Sequence, residues 1–412
     1  MTAPSGALDR GVAAGGPTAA TAYTAAGVML AQHTFSSMTK ATIPVAAPIM
    51  LPALALDPAF LGVLMALISV AGFASMLGVG CFIRRFGGLR LGQVALAING
   101  LFTAVMALGL VPLMIPAALA IGVGVGISTP AGSQVVARQS PPRLAPLMFS
   151  IKQTAVPLGI MTAGLLVPLL TVTIGWQGAM LLVAAACVIL LALLQPFRER
   201  FDSDRDPAAR LSAIDFLATM RGVLGDRAIR ELAFVSFAFL GLQAVFTSFY
   251  VTYLTVGLGF PLASAGTALS IAVSVAVVSR ILWGWIAGRV SPRAVLAFIG
   301  LVAGALTVAL ALSSASWGIV PLAALGVGIS ATAVAWHGVL LAEVARLAPH
   351  GTAGAMCGGA IAVGLVAEAA FPLIFAGFLT FTGSFVPGFL AAAALPILLG
   401  LLLLRPRPLA PG

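Results

Sequence analysis

Uninterrupted apolar runs of about twenty residues recur along this chain, and no other feature constrains its fold as tightly; LLVAAACVILLALL at 181–194 and AAAALPILLGLLLL at 391–404 lie within two of them. A helix of that length crosses the ~30 Å hydrocarbon core of a bilayer. In hydrocarbon an unpaired backbone group costs several kcal/mol, so a spanning segment is either a helix or a strand of a closed barrel. Barrel strands read as ~10-residue alternating segments, and the continuous runs decide for helices. Composition points the same way: 61% of residues are hydrophobic, 8% are charged and the mean hydropathy is +1.14. A soluble domain carries about a quarter charged residues. The expected fold class is an all-α membrane protein.

Apolar runs set against Pro, Gly and charge place twelve spans at 23–48, 60–82, 90–110, 114–137, 147–171, 177–197, 229–256, 263–287, 294–313, 317–345, 353–378 and 384–404. The predicted division is a tail at 1–22, a six-helix bundle at 23–197, a linker at 198–228, a second six-helix bundle at 229–404 and a tail at 405–412. Residues 198–230 mix seven Arg with six acids and contain the mildly amphipathic stretch AIDFLATMRGVLGD. Arg84, Arg85, Arg90, Arg138, Arg143, Arg289, Arg293, Arg346, Arg405 and Arg407 fall at alternate connections, while the opposite ones hold no Lys or Arg and only Asp57. The positive-inside rule then puts both termini and the linker in the cytoplasm. The net charge of +10 is read as this topology signal; no basic stripe interleaved with aromatics marks a nucleic-acid surface. Cys81, Cys187 and Cys357 sit in apolar segments without disulfide or metal-ligand spacing and read as packing residues. No metal or cofactor is expected. Residues 1–22 lack a short apolar core ending in a cleavage site and read as a tail rather than a removable signal peptide.

The two halves echo each other. GVGIS occurs at 124–128 and 326–330, VARQSPPRLAPLM at 136–148 aligns with VARLAPHGTAGAM at 344–356, and GCFIRRFGG at 80–88 aligns with GWIAGRVSP at 284–292. Repeated halves mark transporters that bind substrate at the repeat interface near mid-membrane. GVGVG at 122–126 lies inside a span, where close helix packing explains it better than phosphate binding.

The last pair of segments resembles the Gly-x-x-x-Asp-Arg-x-Gly-Arg loops of the major facilitator superfamily: Gly80, Arg85, Gly87, Gly284 and Arg289 match, while Arg84 and Gly288 stand where the family has Asp. The resemblance implies two pseudo-symmetric six-helix bundles, with gating loops at Gly80, Arg85, Gly284, Arg289 and Arg346. FSIKQTAVPLG at 149–159 and WHGVLLAEVARLAPHG at 336–351 are similar to segments of the bacterial cyanate/nitroimidazole-type branch, and Arg280 resembles the anion-binding arginine of monocarboxylate and oxalate/formate transporters. A monomer in a bacterial inner membrane is the implied setting.

A charge inside a span costs at least ~2.5–3.5 kcal/mol, which makes each one a functional candidate. Five qualify: Lys40, Lys152, Arg280, Glu343 and Glu368, joined by His33 and His337. None lies on the third, sixth, ninth or twelfth span, the lipid-facing set in the fold this chain resembles. His33, Ser36, Ser37 and Lys40 form one polar stripe at helical spacing on the first span. Gln243, Thr247 and Tyr250 repeat the spacing on the seventh, either as donors to a substrate or as interhelical hydrogen bonds. Lys40 and Glu368 share a depth, and two readings stand: a structural or gating ion pair, or an anion ligand with a proton carrier. Lys152 and Arg280 lie nearer the cytoplasmic boundary, where two cations with Trp283 as an aromatic wall suit an anion; snorkelling of Arg280 is the alternative. Glu343, three residues before Arg346, reads as a gate partner or a second proton-coupling acid. His33 and His337 remain open between packing, proton relay and ligand.

Three cations among the five intramembrane charges favour a secondary transporter of small organic anions, carboxylates first, moved by alternating access and coupled to protons. The alternative is a cation or multidrug/proton antiporter, although VPLGIMTAGLLVP at 156–168 does not match the Gly-Pro motif of drug antiporters. A membrane sensor without transport, or an enzyme, would need a signalling domain or a clustered catalytic set, and neither is visible.

Overall fold

The computed structural model describes residues 18–141, 144–203, 205, 216–349 and 353–405. Among these residues the regular structure is helical. The first half runs α1 (Ala19–Ala53), α2 (Phe60–Phe86), α3 (Gly88–Ala107), α4 (Val111–Gln139), α5 (Ala145–Gln153), α6 (Ala155–Leu194) and the short α7 (Arg198–Phe201). The second runs α8 (Phe216–Gly225), α9 (Arg227–Thr252), α10 (Leu262–Ala287), α11 (Pro292–Ala311), α12 (Ile319–Ala333), α13 (His337–Leu347), α14 (Ala353–Thr382) and α15 (Val386–Leu404).

These helices make the twelve expected spans. Gly175, at φ +79°, divides α6 into the end of the fifth span and the whole of the sixth. The fifth begins with α5, the tenth is α12 followed by α13, and α8 belongs to the linker. Nine stretches among the described residues are long and apolar enough to cross a membrane, one of which, Leu147–Phe201, contains two spans. Phe60–Met76 of α2 is a shorter apolar stretch, and α1 is not among the nine because its polar stripe dilutes its apolar character. The first span starts at Ala19, four residues before the expected 23; residues 1–17 and 406–412 of the expected tails lie outside the described residues.

Element lengths carry the repeat. The helices α3 and α11 each have 20 residues, and the fourth and tenth spans, Val111–Gln139 and Ile319–Leu347, each have 29. Aligned by their ends, those two spans superpose the VAR segments at 136 and 344 but not the two GVGIS segments, which are six residues out of register. Their surroundings differ accordingly. A Cβ on Gly124 would collide with Asn99 of α3, whereas one on Gly326 would meet the Tyr250 ring of α9. GVGIS is thus a packing motif used twice at different depths, which corrects its reading as part of the repeat.

Two spans are interrupted where the sequence predicts continuous helices. The fifth turns at Thr154, between α5 and α6, and the tenth leaves helical hydrogen bonding at 334–336, between α12 and α13. Such breaks are tolerated inside a membrane where protein or a cavity surrounds them. In the linker, the amphipathic stretch forms α8, buries Val223 and packs on α9 and α14. Asp226 then caps α9, its Oδ1 accepting from Ala228 N at 2.8 Å and Ile229 N at 2.9 Å.

The apolar core shows where the bundles meet. One cluster joins both of them and is built from residues remote from the arginine-bearing loops, such as Met50 and Leu64 of the first bundle and Phe249 and Phe375 of the second. Nearer the arginine-bearing ends the clusters are separate: Phe239, Leu296 and Trp336 pack within the second bundle, and Met29, Leu96 and Met148 within the first. The bundles are therefore closed on the arginine-free side and parted on the other. Backbone contacts make the closure: Gly62 of α2 lies on Pro372 and Ala376 of α14, Gly164 of α6 lies on Gly266 and Ser270 of α10, and Ser270 Oγ donates to Met161 O at 2.9 Å. Small residues let helices approach this closely. Gly62→Leu should therefore hold that side apart. Spin labels placed on the arginine-free ends of α2 and α14 should then report longer distances by electron–electron resonance, and unchanged distances would show that the glycine contact does not set the closure.

Candidate functional site

Beneath the shared cluster, where the bundles part, lies a cavity of about 250 Å³. From the first bundle it is lined by the α1 residues His33, Ser37 and Lys40 together with Ser69 and Thr129, and from the second by Gln243, Thr247, His337 and Glu368. The rest of its wall is apolar or small, including Phe73, Met76, Ile160 and Leu269. Successive turns of α1 supply His33, Ser37 and Lys40, as the polar stripe predicts.

Lys40 Nζ donates to Glu368 Oε1, an ion pair between α1 and α14 that crosses from one bundle to the other. The two side chains are 23% and 21% exposed, and the cavity is what they face. Among the described residues no other carboxylate lines this cavity. Around the pair several hydrogen-bonding atoms lack partners: His33 Nδ1, Gln243 Oε1 and His337 Nδ1 are buried and unsatisfied. His33 is held through Nε2, 3.4 Å from Thr129 Oγ1. His337 stacks on Trp336 with ring centroids 4.0 Å apart.

The other two cations stand behind this wall. Lys152 is fully buried, and its Nζ donates to Thr129 O at 3.0 Å and Ser133 Oγ at 3.4 Å. Arg280 donates from Nε and Nη2 to Val334 O, at 3.2 and 3.0 Å, and from Nη1 to Gln153 O at 3.3 Å. Those acceptors lie at the two span interruptions, so Arg280 of the second bundle also reaches the first. Neither cation has a carboxylate partner among the described residues.

Tyr250 and Trp283 do not line the cavity. Tyr250 is buried, and its hydroxyl donates to Leu322 O at 2.9 Å; Trp283 Nε1 donates to Ala331 O at 2.7 Å. Both tie their helices to α12. Glu343 is bidentate with Arg346 at 2.7 Å for each contact, at the arginine-bearing end of α13 and away from the cavity wall. At the arginine-bearing ends of α2 and α10, where gating loops are expected, Arg85 lies over the Phe86 ring at 5.6 Å and Arg289 over the Trp285 ring at 3.6 Å. Gly80 is within α2, and Gly284 of α10 has open space around the position of a Cβ.

Two features escape sequence reasoning. Ser36, on the same stripe, turns from the cavity into its own bundle, where Asn99 Nδ2 donates to it at 2.6 Å and Ser128 Oγ at 2.8 Å. Gln32 Nε2 adds bonds to Ser128 Oγ and Gly92 O, each at 3.1 Å. The second feature is Asp202, 3% exposed, which accepts from Leu89 N and Arg90 N, each at 2.8 Å, at the start of α3. It brings a carboxylate to the α2–α3 loop that lacks the family's Asp. Gly87 there has φ +96°, and a Cβ would run into Asp202. Burial holds the Asp202 carboxyl above its ordinary range, opposed by those two backbone N–H groups.

Two pseudo-symmetric bundles around a central cavity define a membrane transporter. The sequence profile of the Major Facilitator Superfamily matches residues 29–372, and the chain belongs to that superfamily. Solved structures share the fold at low identity. A bacterial homolog to the human lysosomal transporter Spinster, inward-facing and unoccupied, superposes with a TM-score of 0.76 at 13% identity, covering 94% of this chain and 96% of that one. A POT family transporter in complex with a thioalcohol-conjugated peptide gives 0.73 at 15%, covering 92% and 95%. The nucleoside transporter NupG (D323A mutant) gives 0.74 at 14%, covering 91% and 98%. No curated protein sequence matches the chain.

A charge left without its partner in this wall is costly, whereas removing both charges is much less so. Lys40→Ala and Glu368→Gln should each lower thermal stability in detergent, and the double variant should recover most of the loss, with a coupling of about 1–3 kcal/mol. A double variant whose loss equals the sum of the single losses would mean that the two side chains do not interact.

Proposed function

We propose that this protein is a secondary active transporter of small organic anions, carboxylates first, coupled to protons and working by alternating access. The observation that carries the proposal is the Lys40–Glu368 pair, the cation and acid that face the cavity, joined across the two bundles. A carboxylate substrate has the same chemistry as the Glu368 side chain and competes for the same ammonium. Once displaced, Glu368 is an uncompensated carboxylate in a poorly solvated wall and takes up a proton. One anion and one proton enter together. The charge of the cavity is unchanged, while the covalently anchored link between α1 and α14 is replaced by a mobile one, which frees the bundles to rock.

The positive-inside rule assigns the arginine-bearing side to the cytoplasm, so the parted side of the structure is inward-facing. Lys152 and Arg280, neither offset by a carboxylate among the described residues, add positive potential around the cavity. The similarity of Arg280 to the anion-binding arginine of the monocarboxylate and oxalate/formate transporters favours the same substrate class. A cation competing with Lys40 for Glu368 would enter a cavity near which Lys152 and Arg280 stand on main-chain carbonyls, and their positive charge opposes it.

The test is uptake of labelled carboxylates into proteoliposomes. Glu368→Gln, which mimics the protonated acid, should abolish accumulation driven by an imposed pH gradient while sparing counterflow exchange. Lys40→Ala should reduce both by at least tenfold. Undiminished pH-driven accumulation by Glu368→Gln would remove the proton role and leave anion exchange.

A further inference from the structure

The Lys40–Glu368 pair accounts for the head of a carboxylate, and most of the remaining wall is apolar. Ile361, Leu365 and Glu368 follow one another on α14 at the i, i+4, i+7 spacing of one helix face, so two apolar side chains stand on the arginine-bearing side of the acid. On α2, Ser69, Phe73 and Met76 repeat the spacing and lead toward the same side. Because α2 ends at the Arg84 and Arg85 loop and α14 follows the Arg346 end of α13, the two helices run antiparallel past the contact of Gly62 with Pro372 and Ala376. Phe73 lies eleven residues along α2 from Gly62, and Ile361 and Leu365 lie eleven residues back along α14 from Pro372 and Ala376, so the two rows stand level. All four side chains are half-buried and line the cavity.

Each row belongs to a different bundle, and the two face each other where the bundles part. Val125 of α4 and Val156 of α6, also half-buried, extend the apolar surface on the first-bundle side. The cavity of about 250 Å³ has the liquid volume of roughly eight waters at ~30 Å³ each, of which a carboxylate group on Lys40 fills a small part. Water held against an apolar wall is released favourably when an apolar group takes its place. A second anionic group has no such reception. Lys152 and Arg280 do not line the cavity, and main-chain carbonyls accept their hydrogen bonds, so a charge lodged between the rows loses its hydration without gaining a partner.

We propose that the substrate is a monocarboxylate with an apolar body, a chain or a ring, that lies between the two rows. Its carboxylate takes the place of Glu368 on Lys40. Its body runs toward the arginine-bearing side, with Phe73 and Met76 on one flank and Ile361 and Leu365 on the other. A wall that includes a methionine adapts to bodies of different shape, so the single charge sets the substrate class and the length of the body sets the affinity. The body touches both bundles, and it bridges them while the link between Lys40 and Glu368 is open. This inference rests on the anion reading above. It adds the number of charges, the chemistry of the remainder and the apolar residues that receive it.

Calorimetric titration of the detergent-solubilised full chain with acetate, butyrate, hexanoate, succinate and hexanamide separates the two claims. Affinity should rise roughly two- to fourfold per methylene, which puts hexanoate at least about tenfold above acetate. Succinate should bind at least about tenfold more weakly than butyrate, and hexanamide, with the same chain and no charge, at least about tenfold more weakly than hexanoate. Leu365→Asn should narrow the hexanoate-to-acetate ratio to within about threefold, and the gentler Ile361→Thr should lower it about twofold if the asparagine variant folds poorly. Acetate binding as tightly as hexanoate, succinate binding as tightly as butyrate, or a ratio unmoved in the folded wall variants overturns this inference and leaves the anion reading standing. Failure of every carboxylate to bind, or hexanamide binding as tightly as hexanoate, overturns the anion reading and this inference with it.

Discussion

On the arginine-free side the two bundles meet through backbone as well as through the shared apolar cluster. Gly62 against Pro372, and Gly164 against Gly266, bring main chains together on the arginine-free side. The cavity and its ion pair exist because that contact holds one side shut while the other stays parted. In a bilayer, lipid tails are as apolar as a leucine side chain, so apolar contact alone gives helices little reason to associate. Close backbone approach and polar links do, and Ser270 donating to Met161 O supplies one such link across the interface.

Against that closure, the charges divide into two kinds. Lys152 and Arg280 end on main-chain carbonyls inside the fold, which already accept their hydrogen bonds. Lys40 and Glu368 end on each other, on side chains from opposite bundles that line the cavity. The interruptions of the fifth and tenth spans belong to the same arrangement: the Gln153 and Val334 carbonyls that receive Arg280 lie at them, and Pro157, which has no N–H, leaves the Gln153 carbonyl without an i+4 helical donor.

The spans, their number, the two halves and the polar stripe on α1 were all legible in the sequence, because hydrocarbon demands long apolar helices and tolerates a polar stripe only where something receives it. The pairing of Lys40 with Glu368 was half legible, from shared depth alone. What the sequence hid is orientation about each helix axis. Tyr250 and Gln243 share a face by spacing, yet Gln243 lines the cavity and Tyr250, two turns away, packs on α12. Ser36 and Ser37 are neighbours on the stripe, and only Ser37 reaches the cavity. Asp202 was hidden for another reason: its partners lie more than a hundred residues earlier in the chain, and local motif matching looks for an acid within the α2–α3 loop itself.

The repeat explains the scaffold and, by its exceptions, locates the chemistry. With the fourth and tenth spans aligned by their ends, His337 stands at the place of Thr129, and both line the cavity. The same offset, carried into the fifth and eleventh spans, puts Glu368 at the place of Ile160 and Lys152 at that of Ala360, while the aligned loops put Arg280 at the place of Met76. None of the three charges has a charged counterpart in the other half. Had the halves kept matched charges, the two-fold symmetry would present two equivalent sites, and a ligand on one would leave a buried charge unanswered on the other. Single-copy charges avoid that cost. They gather the acid on one bundle and the ammonium it meets on the other, so that the pair forms only where the two halves face each other and is sensitive to every change in how they do.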